Sequence, residues 1–75
     1  MAMMNKEQYN TNLGRALREM RLELGLTQEE LAEKADLSRN HISAVERGEK
    51  SITVYALACI LYAVDVPFDK FIIKV

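Results

Sequence analysis

No proline precedes Pro67 in this 75-residue chain, and only three glycines occur in it. Proline and glycine are the strongest local breakers of regular structure, so their scarcity predicts helices with sparse punctuation. Tyr9, Leu13, Leu17, Met20 and Leu24 fall on one apolar stripe of a long amphipathic helix, with Arg15, Arg18, Glu19, Arg21 and Glu23 off the stripe or at its edges. Asn5 suits the N-cap of that helix, and Gly25 suits its left-handed end.

Four further starts are written into the chain. Thr27-Gln28-Glu29-Glu30 fits a capping box, in which Thr27 and Glu30 satisfy each other's backbone N–H groups. The short helix that follows carries Leu31, Ala32 and Ala35 inward. Asp36-Leu37-Ser38 is a tight break, and Ser38 caps a helix whose apolar face is Ile42 and Val45. Thr53 caps a fourth helix, in which Val54, Leu57, Ala58 and Leu61 give a period near 3.6, with Ile60, Tyr62 and Val64 making it unusually apolar. Pro67 suits the first turn of a last short helix bearing Phe68, Phe71 and Ile72. The tail from Ile72 to Val75 is either a short strand or a packing arm. Together these elements predict an all-α, five-helix bundle.

Composition excludes several classes. Hydrophobic residues at 49% and charged residues at 28% are globular proportions. At this length the chain forms a single domain over 1–75 that buries only about 60% of its unfolded surface, with 1–8 expected to fray and 72–75 expected to pack as an arm. No run approaches the ~20 apolar residues of a membrane span, and the N-terminus lacks the apolar core of a signal peptide, so a cytoplasmic protein is expected. A single cysteine, Cys59, and a single histidine, His41, leave no disulfide framework, no zinc cluster and no nucleophile–base pair, so neither metal, cofactor nor enzymatic activity is expected. The formal net charge of −1 runs against the basic excess usual for nucleic-acid binders, although a small face can be basic while the remainder is acidic.

Helix 28–35, turn 36–38 and helix 39–47 have the length and spacing of a helix-turn-helix. The run 17–32, then Ala35-Asp36-Leu37-Ser38, then Ile42-Ser43-Ala44-Val45-Glu46-Arg47-Gly48, resembles the XRE family, the phage repressor and Cro class. The resemblance covers roughly residues 13–72. It departs at Asp36, where the family often has glycine, and at Ser51-Ile52, where the family often has Asn-Pro. Aspartate tolerates left-handed geometry better than most residues. The resemblance implies the lambda-repressor-like five-helix bundle, with 39–47 as the recognition helix of a dimeric transcriptional regulator that binds double-stranded DNA at a palindromic operator, without a small-molecule ligand.

A major groove admits a helix, and the leading side chains of that helix meet base edges. With Ile42 and Val45 inward, Arg39, Asn40 and Ser43 point outward. They are either base readers, as the resemblance implies, or a solvated polar face. Arg39 pairs bidentately with guanine and Asn40 with adenine where they do read bases. The resemblance puts Gln28 on a phosphate, bracing Arg39, against which stands a surface glutamine in a capping box. Ser38 is a phosphate contact or a plain cap; Arg47 and Lys50, just past the recognition helix, are phosphate contacts; and His41 is either a phosphate or base contact or idle. It also implies a structural salt bridge between Arg21 and Glu46, against which stands Arg21 on phosphate.

Ile60, Tyr62, Val64, Phe68, Phe71, Ile73 and Val75 are left over once the bundle is filled. The family's usual use for them is a two-fold homodimer through the fourth and fifth helices, with Tyr62, Val64, Phe68, Phe71 and Ile73 as the interface; a filled monomer core is the other reading. An antitoxin-like or regulatory protein-interaction module, with DNA binding secondary, is the alternative function.

Overall fold

Five helices make up the fold in the computed structural model, which describes residues 4–75: α1 (Lys6–Glu23), α2 (Gln28–Ala35), α3 (Arg39–Glu46), α4 (Val54–Ala63) and α5 (Phe68–Ile72). The described residues contain no strand, which removes the strand reading of the tail. Met1, Ala2 and Met3, part of the segment expected to fray, lie outside the described residues.

Side-chain caps set the starts of α1, α2, α3 and α4. The Thr27 hydroxyl accepts from Glu30 N at 3.0 Å, while Glu30 Oε1 accepts from Thr27 N at 2.8 Å. Asn5 makes the same reciprocal pair with Gln8, accepting from Gln8 N at 2.8 Å. Ser38 Oγ accepts from His41 N and Thr53 Oγ1 from Ala56 N, each at 3.0 Å. Each cap satisfies an N–H that the helix itself leaves without a partner. Asp36 ends α2 at φ 57°, the left-handed geometry expected where the family often has glycine.

Packing runs α1 on α3, α3 on α2, and α2 on α4. Leu13, Leu17, Leu31, Ile42, Val45 and Ile60 are fully enclosed at the centre. Small Ala32 and Ala35 are buried at the seam between α2 and its neighbours, and Leu37 packs into it from the turn. Gly14 is where α1 and α3 touch. A Cβ built there would lie 2.3 Å from the Val45 carbonyl oxygen and 2.8 Å from that of Glu46. No other residue allows this approach, which fixes the C-terminal end of α3 against the long helix.

The inner face of α4 differs from the expected one. Ala56, Leu57, Ile60 and Leu61 are buried, whereas Val54 is 76% exposed and Ala58 is exposed. A helix that is apolar all round gives periodicity no phase, so packing partners choose the face. Phe71, at 2% exposure, and Ile60, at 0%, belong to the core of this chain, so neither is left over once the bundle is filled, and Phe71 is not surface open to a second copy. Val64 and Val75 are half-buried against the same core. Tyr62, Phe68 and Ile73 remain exposed.

Candidate nucleic-acid interface

Ser38 caps α3 with its oxygen and thereby turns the first residues of an eight-residue helix into solvent. Ile42 and Val45, at 0% and 1% exposure, anchor the opposite side in the core. At 3.6 residues per turn, Arg39, Asn40, Ser43 and the C-cap Arg47 fall within an arc of roughly 100° facing away from that anchor. Arg39 and Asn40 are exposed; His41 and Ser43 are half-buried. Lys50 follows in the loop and is exposed. Three of the ten Lys and Arg residues gather on this face: Arg39 at its start, Arg47 and Lys50 at its end.

The charges on this face are not free. Arg47 donates from Nε to Glu49 Oε2 at 2.9 Å and from Nη2 to Oε1 at 3.1 Å, and its Nη1 donates to Ser43 Oγ. These hydrogen bonds to Glu49 hold the Arg47 guanidinium more firmly protonated and push the Glu49 carboxyl below its ordinary value. Arg39 Nε stands 3.9 Å from Glu29 Oε1, a loose ion pair between exposed side chains. Neither pairing is legible in the sequence, because nothing in the spacing says which of several nearby carboxylates an arginine will choose.

Behind the face lies a buried polar cluster. Arg21, 8% exposed within α1, donates from Nε to Glu46 Oε2 at 2.7 Å and from Nη2 to Oε1 at 3.0 Å. Its Nη1 donates to the Leu26 carbonyl at 2.9 Å. The hydrogen bonds to Glu46 raise the Arg21 pKa above its ordinary value, against the opposing effect of burial. Gln28 Nε2 donates to Glu46 Oε1 at 3.1 Å. The brace from Gln28 therefore reaches Glu46, at the far end of α3, and not Arg39; its half-buried side chain ties α2 to α3 through the carboxylate that also holds α1. The described residues include no group of three or more His, Cys, Asp or Glu able to hold a metal ion. No helix among them is long and apolar enough to cross a membrane.

The chain matches the helix-turn-helix family over residues 17–71. Its fold is similar to that of the clp gene regulator ClgR from C. glutamicum, with a TM-score of 0.82 at 34% identity, over 87% of this chain and 83% of that one. It is similar to the restriction-modification controller protein C.Esp1396I, whose tetramer was solved in complex with its natural 35 base-pair operator; there the TM-score is 0.78 at 33% identity, covering 84% of this chain and 83% of that one. Over 35 residues, 47% of this chain, it is 57% identical to an uncharacterized HTH-type transcriptional regulator from Methanothermobacter thermautotrophicus. That match spans about half of the relative's length, 51%.

Proposed function

The chain belongs to the XRE-type helix-turn-helix family, and on that premise we propose that it is a cytoplasmic transcriptional regulator that binds double-stranded DNA sequence-specifically as a homodimer. The observation that carries this reading is the outward placement of Arg39 and Asn40 on the first turn of a helix anchored by Ile42 and Val45. A helix about 10–12 Å across with its side chains fits a groove about 12 Å wide. Arg39 and Asn40 read base edges with Ser43 beside them, while Gln28, Ser38, His41, Arg47 and Lys50 meet phosphates. Arg21 and Glu46 hold the recognition helix to α1 and touch no DNA.

A pairing of two copies answers two problems at once. The basic footprint of one copy is small, so one copy neutralises few phosphates. Tyr62 at 90% exposure, Ile73 at 78% and Phe68 at 48% leave apolar surface on α4, α5 and the tail. A two-fold contact there, with residues 72–75 as its arm, covers that surface and sets two recognition helices ~34 Å apart on one face of a palindromic operator. The whole chain acts as one domain, and control comes from its concentration and not from a small ligand.

The test is a gel shift at stated salt, in which a labelled palindromic duplex competes with random duplex. Wild-type protein is expected to hold the palindrome against excess random DNA, and Arg39→Ala to lose roughly 1–3 kcal/mol with relaxed preference at one base position. Equal competition by both duplexes contradicts the reading. A second reading, an interaction module for another protein, draws on the apolar groove of about 270 Å³ lined by Met20, Leu24, Val66, Phe71 and Ile73. Loss of all duplex binding together with co-purification of a small basic partner favours that second reading.

A further inference from the structure

The proposed DNA face carries carboxylates where a binder of polyanions has least use for them. Glu49 sits two residues past the C-cap of α3 and takes both hydrogen bonds of the Arg47 fork, at 2.9 and 3.1 Å. The same guanidinium spends its remaining Nη1 on Ser43 Oγ. Ser43, Arg47 and Glu49 are thus closed on one another, the first two being residues of the proposed interface and the third a carboxylate beside it. Glu29 stands in a similar relation to Arg39, more loosely, at 3.9 Å.

A planar carboxylate presents two oxygens to a guanidinium as a phosphate does. The Arg47 and Glu49 side chains are 54% and 61% exposed, so solvent screens the pair and a phosphate has open access to it. Exposed pairs of this kind are weak, about two- to fivefold in an equilibrium constant. A phosphate held in register by base contacts displaces the carboxylate. On arbitrary duplex no base contact fixes the register, no phosphate is held opposite Arg47, and the internal pair persists. Resting on the DNA-binding reading above, we propose that Glu49 is a specificity-determining residue, an internal phosphate mimic that withholds Arg47 from arbitrary duplex and yields it when the recognition helix is seated on its site. The same exchange frees the Ser43 hydroxyl to meet a base edge.

The experiment compares the full chain with Glu49→Gln, which keeps side-chain shape and removes the charge, on random duplex and on a duplex selected by the wild type, across a salt series. Glu49→Gln is expected to bind random duplex about two- to fivefold more tightly and to steepen its log K against log salt slope by about one unit, with a smaller gain on the selected site. In an Arg47→Ala background the substitution is expected to lose most of that effect. Unchanged thermal melting verifies that the exposed substitution leaves the fold intact. An equal gain on both duplexes, or a gain that persists without Arg47, overturns the proposal and makes Glu49 a general repulsive charge. As an independent readout, the Arg47 Nε–H proton resonance should move on addition of selected duplex and stay in place with random duplex; movement with both overturns it. Wild-type protein that binds neither duplex defeats the DNA-binding reading itself, a result distinct from these.

Discussion

Arg21 and Glu46 form a two-pronged ion pair, 2.7 Å from Nε to Oε2 and 3.0 Å from Nη2 to Oε1, whose side chains are 9% and 3% exposed. It joins the last turn of α1 to the last residue of the proposed recognition helix, and Gln28 adds α2 to the same carboxylate. One buried oxygen pair thus orients three helices. Removing a single partner of such a pair leaves an uncompensated charge inside, which typically costs about 3–5 kcal/mol. Glu46→Ala is expected to lose roughly 3 kcal/mol in urea unfolding. The double variant Arg21→Met/Glu46→Leu should recover most of it, and a double variant as unstable as the single one contradicts this account.

The α1–α3 crossing offers a second test. Alanine in place of glycine within a helix ordinarily stabilises by about 0.8–1.0 kcal/mol. At Gly14 the added Cβ lands 2.3 Å from the Val45 carbonyl oxygen, a backbone atom that cannot swing away. Gly14→Ala is therefore expected to destabilise by about 1–3 kcal/mol. A raised melting temperature would mean that the two helices stand further apart than described.

Glu30 supplies a pH signature. Hydrogen bonds from the Thr27 backbone and then its side chain hold the Glu30 carboxyl below its ordinary value of 4.5. A carboxyl lowered in the folded state adds stability above its unfolded pKa and loses it as pH falls through the folded one. Glutamine keeps the capping box without the charge. Thermal melts from about pH 6 to about pH 3 should therefore show a steeper fall for wild type than for Glu30→Gln below about pH 4.5. Parallel curves contradict the assignment. Thr27→Ala, which removes the cap at every pH, should cost about 1 kcal/mol.

The pairing of two copies is tested at Tyr62. Its side chain is 90% exposed, so a charge there leaves the core intact. On the proposed pairing, the wild type is expected to sediment as a dimer and Tyr62→Glu as a monomer at the same concentration, with melting of the monomer fold little changed. A variant that sediments like the wild type removes this tyrosine from the interface.

What was legible in the sequence was local. Thr27, Ser38 and Thr53 announced three helix starts because a cap bonds only three residues away. Leu31, Ala32 and Ala35 declared an inner face because polar neighbours framed them. In α4 no charged residue frames anything, so Val54 and Ala58 fit the helical period yet lie outside, and Ile60 read as spare and fills the core. Phe71, in α5, read as spare as well, because five residues are too few to show a face. Gly14 was missed because its reason is a carbonyl more than thirty residues away, although a lone glycine inside an amphipathic stripe was itself a signal. The resemblance to the family supplied the Arg21–Glu46 bridge, which spacing alone does not. The Arg47–Glu49 closure depends on how a C-cap turns the chain into the next loop, and neither spacing nor resemblance carried it.

Selection of duplexes from a random pool by the purified full chain tests the central claim most directly, since binding, symmetry and spacing are read together. The account predicts an inverted repeat whose half-site centres lie about 10–10.5 bp apart, with one guanine position that loses its preference in Arg39→Ala. A selected sequence without two-fold symmetry, or one whose preferences survive Arg39→Ala unchanged, contradicts it.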